Sequence, residues 1–244
     1  MIRPVMEKGR YTARLVEGTE DLAPAMTLRV AAFPADHAGP DAYDAACRHL
    51  IVEDGGSGEV VATCRVLSLS SGAEIGRSYS AAHYGLDRLS TYPAALAEVG
   101  RFCIAPGRRE ADILRVAWGA LTRIVEREGI EMLFGCASFP GMDPGAHAHA
   151  LGLLHARHMA PPRWRPRIKA PQIARLAQAG LSRFDARRGL AGLPPLLRTY
   201  LTMGGWVSDH AVVDPEMGTL HVFTGVEISA IPPARKRLLR AVAG

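Results

Sequence analysis

The sequence predicts an α/β fold, a mixed central sheet flanked by helices and followed by an elaborated C-terminal part. Three stretches predict it. Two β-rich runs, 49–53 and 59–67, enclose the turn Asp54-Gly55-Gly56-Ser57-Gly58, the composition of a hairpin. Residues 111–128 carry apolar side chains at 113, 114, 117, 118, 121, 124 and 125, the spacing of one helical face. A strand-like stretch at 96–104 and an apolar run at 130–136 flank that helix through short joints, which makes a strand–helix–strand unit.

The elements follow in order. Residues 11–16 alternate weakly and end at Glu17-Gly18, as a first strand would. Thr19 is expected to cap a helix over 20–33, where Leu22, Met26, Val30 and Phe33 recur at helical spacing, and Pro34 stops it. Residues 41–48 read as a short helix or turn. The strand at 96–104 ends at Pro106-Gly107, and Gly129 stops the long helix. The run 130–136 is almost wholly apolar and so is expected to be buried on both faces. Beyond it, 144–159 reads as helical, 161–195 is rich in Pro and Arg without a determined structure, and 196–203 is helical again. Closing strands are expected at 206–213 and 220–226. No internal repeat or low-complexity tract occurs. The expectation is one domain over 1–244, with a core at 11–140 and a helical, basic elaboration at 144–244.

Composition narrows the class of protein. No run of 18 apolar residues occurs that would span a bilayer, and the start MIRPVMEKGR has no apolar region of a secretory signal. Cys47, Cys64, Cys103 and Cys136 are widely spaced with no CxxC pair, and read as reduced thiols of a cytoplasmic protein. The net charge of +5 is concentrated in the C-terminal half: Arg163, Arg165, Arg167 and Lys169, then Arg183, Arg187 and Arg188, then Arg235, Lys236, Arg237 and Arg240. Anionic lipid headgroups, an acidic carrier protein or nucleic acid fit such charge, and so does a plain solvated face. Leu238, Leu239 and Val242 beside the last cluster make either an amphipathic tail that touches membrane or a frayed end.

The motifs are more specific than the element order. Arg29-Val30-Ala31-Ala32-Phe33 with Asp41-Ala42-Tyr43-Asp44 resembles the N-terminal signature of acyl-homoserine-lactone synthases and their relatives. The same holds for His49-Leu50-Ile51-Val52 running into Val61-Ala62-Thr63-Cys64-Arg65-Val66-Leu67. Ala97-Glu98-Val99-Gly100-Arg101-Phe102-Cys103-Ile104 resembles their fourth-strand motif, in which Glu and Arg are separated by two residues. Leu133-Phe134-Gly135-Cys136-Ala137-Ser138-Phe139-Pro140-Gly141, Leu193-Pro194-Pro195-Leu196-Leu197-Arg198-Thr199-Tyr200 and Gly204-Gly205-Trp206-Val207 are similar to the ornithine Nα-acyltransferases of ornithine-lipid synthesis. The resemblance covers most of residues 11 to 226.

It implies the GNAT (N-acyltransferase) fold and transfer of a 3-hydroxy fatty acyl group from acyl carrier protein to the α-amine of L-ornithine, giving lyso-ornithine lipid. The donor would be the carrier's phosphopantetheine thioester, with no cofactor and no metal. Acyl carrier protein, ornithine and an anionic membrane surface at the inner face are the implied partners, and nucleic acid is not expected. Two departures stand out. Gly100 lies where relatives usually carry Ser, and 106–116 lacks the Gly-rich phosphate loop of acetyl-CoA-using relatives, which fits a carrier-protein donor.

Aminolysis of a thioester needs a neutral amine, a held carbonyl and a stabilised oxyanion. The resemblance places Glu98 as the base, or as the group that positions the ammonium; the alternative is a structural strut paired with Arg101 or another cation. Gly100 suggests a bulge whose strand opens a cleft towards the next strand, or simply room for a neighbouring side chain. Acyl-thioester contacts carry over onto Gly100, Phe102, Cys103, Ser138 and Phe139, with Phe139-Pro140-Gly141 shaping the cleft wall. Arg101 either grips a substrate carboxylate through its planar fork or serves as an ion-pair partner. Substrate binding carries over onto Arg29, Phe33, Asp41, Asp44 and Arg65; the two aspartates either attract a cationic acceptor or cap a helix. Arg65 supports Asp44 or the acyl cleft. Cys136 and Ser138 invite a covalent acyl-enzyme, but no His partner is identifiable. His147, His149, His155 and His158 invite a metal, yet only 155 and 158 share a helical face and no carboxylate or Cys completes a set. Solvent-facing or core-edge histidines are expected there.

Other readings stay open: an N-acyl amino acid synthase or acyl-homoserine-lactone-type synthase with another acceptor, or a non-catalytic GNAT-like module that sits on membranes.

Overall fold

The computed structural model describes residues 4–33, 39–108, 111–180 and 182–243. They divide into two units: Met1–Ser68 with Ala97–Ile130 and Pro233–Gly244, and Leu69–Leu96 with Glu131–Pro232.

In the first unit, strands numbered along the chain lie in the order β1 (Met6–Lys8), β2 (Tyr11–Leu15), β3 (Arg48–Asp54), β4 (Val60–Leu69) and β6 (Leu96–Ile104). The hairpin expected around Asp54-Gly58 is β3–β4, antiparallel with Leu50 opposite Cys64. Its turn is tied by Asp54, whose Oδ1 accepts the Gly56 N–H at 3.0 Å. β2 adds to β3 with Ala13 opposite Val52, so that Ala13, Val52 and Ala62 stack as a fully buried row.

Helix α3 (Ala111–Glu128) has the predicted span and buries Ile113, Val116, Ala117, Leu121, Ile124 and Val125. These recur three and four residues apart, and Trp118, Gly119 and Ala120 are buried as well, so the middle of the helix is covered all round. Gly129 ends it at φ 60°, and the Ile130 N–H bonds the Val125 carbonyl at 3.0 Å, a left-handed cap that a side chain would strain. Residues 109–110, in the joint before α3, lie outside the described residues.

Helix α1 (Thr19–Ala32) departs from the expected detail. Its N-cap is Gly18, and Thr19 is already helical with no side-chain cap bond. Asp21 reaches back instead, accepting the Glu17 N–H at 2.9 Å while it also pairs with Arg14. The buried face is Ala25, Leu28 and Arg29 rather than the stripe through Val30, which is 50% exposed. The helix is turned by the ion pairs that Arg29 makes, and the pattern of apolar residues does not record them. Pro34, the expected stop, lies outside the described residues. Helix α8 (Pro233–Ala243) packs on α3, where Arg240 Nε bonds Glu126 Oε1 at 2.8 Å. The tail is therefore an ordered helix with Leu238 exposed; the Val242 side chain lies outside the described residues.

In the second unit β7 (Met132–Pro140), β11 (Thr219–Glu227), β10 (Trp206–Asp214) and β9 (Ile173–Arg175) form antiparallel neighbours in that order. β7 runs past the predicted end at Cys136, because its pairing with β11 continues from Met132 opposite Glu227 to Pro140 opposite Thr219. On one face Ala137, Phe139, Leu220 and Val222 pack against Leu151 and Leu154 of α4 (Ala148–Arg157), Leu176 of α5 (Leu176–Ala179) and Leu197 of α7 (Pro195–Thr202). Helix α6 (Ala186–Ala191) lies against α4.

The opposite face carries residues 72–92, which include α2 (Ser80–His83) and β5 (Tyr84–Gly85); β5 pairs with β8 (Arg167–Ile168). The Tyr84 ring is buried edge-on to Phe223 at 5.7 Å. This segment consists of single turns and two-residue strands, too short to produce a hydrophobic period.

Candidate active site

Five charged side chains of the first unit meet in one network. Arg29 comes from α1, Asp41 and Asp44 from the turn that precedes β3, Arg65 from β4 and Arg101 from β6. Asp44 Oδ1 lies 2.8 Å from Arg29 Nη1 and 3.0 Å from Arg65 Nη1, and its Oδ2 accepts the Asp41 N–H at 2.8 Å. Asp41 Oδ1 is 2.5 Å from the same Arg65 nitrogen, and its Oδ2 is 3.0 Å from Arg101 Nη2. Three guanidinium groups thus face two carboxylates, in charge-assisted bonds that are short and strong. Tyr43 lies under Arg65 and Phe33 under Arg101, with the cations 5.4 and 5.7 Å from the ring centres.

Burial opposes ionisation of both aspartates, and the arginines outweigh it. Arg65, by charge and hydrogen bond, holds Asp41 below the usual carboxylate range. The Asp41 N–H and Arg29 do the same for Asp44. His49, buried beside them, points its Nε2 at the Asp44 carbonyl at 3.2 Å and so donates there; burial pushes its pKa down and favours the neutral ring.

Glu98 stands on β6, 4% exposed. Its charge reaches Tyr43 and Cys47, adding to the burial that raises both, and the Cys47 thiol is pushed up to about 11. Gly100 lies against Arg65: a Cβ added there would sit 3.3 Å from Arg65 Nε. Arg101 has φ 52°, the one left-handed non-glycine among the described residues. The irregularity expected at Gly100 therefore falls on Arg101, while Gly100 gives the Arg65 stem its path. Phe102 is half-buried and Cys103 buried, with its thiol pushed up to about 12 by burial. Such thiols are poor nucleophiles at neutral pH.

Several residues assigned from the sequence to ligand contact thus hold one another. Asp44 is buried and Asp41 24% exposed, and Arg29, Arg65 and Arg101 are their counter-ions. Arg65 does support Asp44. Tyr43 and Cys47, near Glu98, were not picked out from the sequence; Tyr43 was visible only as the aromatic between the two aspartates.

In the second unit Cys136 and Ser138 share one face of β7, Ser138 exposed and Cys136 Sγ 3.5 Å from Ser80 Oγ. Phe139 points the other way and is fully buried in the core cluster with Leu151, Leu154 and Leu197. Strand alternation sends Phe139, expected in a cleft wall, towards the core. The histidines at 147–158 are dispersed. His147 Nε2 bonds the Pro140 carbonyl at 2.9 Å, His149 Nδ1 accepts the Asp185 N–H at 3.0 Å, and His155 is exposed.

A hairpin-built sheet whose β6 carries a buried glutamate and a left-handed arginine, followed at once by a long amphipathic helix, defines a GNAT-type acyltransferase. Residues 26–119 match the family model described as acetyltransferase (GNAT) domain. A GNAT-like decarboxylase solved in complex with isobutyryl-CoA shares the fold at TM-score 0.51 and 16% identity, over 88% of this chain and 98% of that one. The L-ornithine N(alpha)-acyltransferase of Rhodobacter capsulatus is 34% identical over 238 residues, 91% of each chain. The protein of the same name from Rhizobium meliloti is 31% identical over 198 residues, 78% of this chain and 67% of that one. The chain belongs to the L-ornithine Nα-acyltransferase family.

Proposed function

We propose that this protein transfers a 3-hydroxy fatty acyl group from the phosphopantetheine thioester of acyl carrier protein to the α-amine of L-ornithine, giving lyso-ornithine lipid. The observation that carries the reading is the 34% identity to an L-ornithine N(alpha)-acyltransferase across 91% of both chains. Carrier protein as donor is supported by the absence from 106–116 of the Gly-rich loop that cradles a pyrophosphate.

The chemistry is direct aminolysis. The ornithine α-ammonium, with a pKa near 8, gives up a proton before or as it attacks. Glu98 receives that proton, directly or through a water, because it is the buried carboxylate of β6. The freed amine adds to the thioester carbonyl, the C–N bond forms, and the negative charge moves to the carbonyl oxygen. Backbone N–H groups of β6 around Gly100–Phe102, where Arg101 turns to φ 52°, stabilise that oxyanion. On collapse the C–S bond breaks, the thiolate takes the proton returned from Glu98, and the cationic nitrogen of the adduct releases its remaining extra proton to water, leaving the amide. The Arg29–Asp44–Arg65–Asp41–Arg101 network holds β4, β6 and the turn before β3 in register and fixes the floor on which Glu98 stands.

The test mixes purified protein, 3-hydroxyacyl carrier protein and an equimolar set of amino acids, with the acyl-CoA thioester in a parallel arm, and identifies products by mass. Acyl-ornithine formed from the carrier-protein arm is expected. Product with another amino acid reassigns the acceptor, product from CoA alone reassigns the donor, and no acyl amino acid in either arm overturns the proposal.

A further inference from the structure

We propose that His83, Asp214 and His221 form a binding site for one divalent first-row transition-metal ion. The three come from separate elements of the second unit: His83 ends α2, Asp214 ends β10 and His221 lies in β11. Their ligating atoms all lie within 4.8 Å of one another, with His221 Nε2 4.0 Å from Asp214 Oδ2.

Hydrogen-bond arithmetic fixes the tautomer of His221. The Tyr84 hydroxyl has one proton and gives it to the His221 carbonyl at 2.8 Å. At 3.1 Å from His221 Nδ1 the same oxygen must therefore accept, so Nδ1 carries the hydrogen and Nε2 presents a bare lone pair. That Nε2 is buried, on a side chain only 2% exposed, and has no hydrogen-bond partner. A metal-ligating imidazole is held in this manner, its second nitrogen donating to an outer partner.

Asp214 is oriented in the same way. Its Oδ1 accepts the Met217 N–H at 3.1 Å, and its Oδ2, the oxygen nearest His221, accepts the Tyr79 hydroxyl at 3.3 Å. The His83 ring lies 4.6 Å from that of Tyr79 and edge-on to His221 at 5.1 Å. His83 is only half-buried, which leaves a side open for entry and for further ligands such as water.

Two imidazoles and one carboxylate suit Zn²⁺, Fe²⁺ or Co²⁺ rather than Ca²⁺ or Mg²⁺, which prefer all-oxygen shells. Metal–nitrogen bonds near 2.0–2.1 Å place tetrahedral ligand atoms about 3.4 Å apart, so side-chain movements of roughly 1 Å complete the site. The ion would clasp α2, and with it the segment 72–92, to the edge of β10 and β11. The histidine-rich stretch at 147–158 is where the sequence invites a metal, and its side chains are dispersed; Asp214 and His221 sit on the paired strands β10 and β11, and the fold brings the sequence-distant His83 to them.

The experiment uses full-length protein without a histidine tag, stripped with chelator and titrated separately with Zn²⁺, Fe²⁺ under anaerobic conditions, and Co²⁺. One equivalent should bind, Co²⁺ should give d–d absorption bands, and amide exchange over 72–86 should slow on loading. His83→Ala and Asp214→Asn should each weaken binding at least tenfold with circular dichroism unchanged, while His155→Ala binds as the parent does. Should either variant fail to fold, proton NMR of the Co²⁺-loaded parent decides: hyperfine-shifted imidazole signals from two histidines support the site, and their absence overturns it. No stoichiometric binding by the parent, or binding undiminished in both folded variants, also overturns it. These readouts are independent of acyl transfer, so they stand or fall apart from the proposed reaction.

Discussion

Asp41 Oδ2 accepts a hydrogen bond from Arg101 Nη2 at 3.0 Å, and so ties the turn before β3 to the one left-handed non-glycine among the described residues. A residue with a Cβ at φ 52° is strained, and strain of this kind persists where surrounding contacts over-determine the conformation. The ion pair with Asp41 and the Phe33 ring, 5.7 Å from the guanidinium carbon, are among those contacts.

A comparison of two substitutions isolates the strain. Arg101→Gly and Arg101→Ala both remove the ion pair, but only glycine accepts a positive φ without cost. The glycine variant should therefore be the more stable of the two by about 1 kcal/mol. Urea denaturation measures the difference; an alanine variant equal to or better than the glycine one would show that the backbone at 101 relaxes once the side chain is gone.

Glu98→Gln keeps the shape of a side chain that is 4% exposed and removes its capacity to take a proton. Turnover with acyl carrier protein and ornithine should fall about 10²–10⁴-fold, the usual contribution of a positioned base, with the melting temperature little changed. If Glu98 were only a strut, stability would suffer and the activity of the folded fraction would not.

The pH dependence of stability follows from Asp41 and Asp44. Both have folded-state pKa values below the ordinary carboxylate value, near 3.9 in an unfolded chain. Their contribution is therefore fully present above about pH 5 and is lost as the pH falls through 4 towards the folded-state values. Asp44→Asn leaves Arg29, 1% exposed, with only the more distant Asp41 carboxylate at 3.9 Å, and should cost about 3–5 kcal/mol at pH 7. That cost should shrink as the pH falls from about 4 towards the lowered folded-state value, because the unfolded parent takes up the proton first and the native carboxylate only below its own pKa. Unfolding curves at intervals from pH 7 to pH 3 check it; a gap that stays constant with pH would mean the pair is not electrostatic in origin.

The long-period elements were legible in the sequence, and the reason is physical. β6 and α3 have the predicted bounds; α3 carries several turns of its own spacing, and a left-handed glycine stops it where no side chain competes. The face of α1 was not legible. Arg29 is charged and would be placed outside, yet it is the most deeply buried member of its helix's polar residues, since its partner Asp44 is buried with it. The residues of the ionic network were named from motifs. Their mutual pairing was hidden, because it depends on the register of β3 against β4 and on how the turn before β3 folds back. Residues 72–92 gave no signal at all, being built from single turns, and the His83–Asp214–His221 cluster was hidden with them.

Phe139 shows where motif and packing part, and it can be tested directly. Its neighbours on β7, Cys136 and Ser138, lie on the face that carries 72–92, while Phe139 itself is wholly buried among Leu151, Leu154, Leu176 and Leu197. Phe139→Ala empties a cavity in that core and should cost about 3–5 kcal/mol, a large share of the stability of an ordinary domain. Activity per folded molecule, assayed well below the melting transition, should stay within about twofold of the parent, since core truncation of this kind acts on the fraction folded. A raised KM for the acyl donor with stability preserved would instead place the ring against the acyl chain. Its burial against helical leucines on the side away from Ser138 argues for the first outcome.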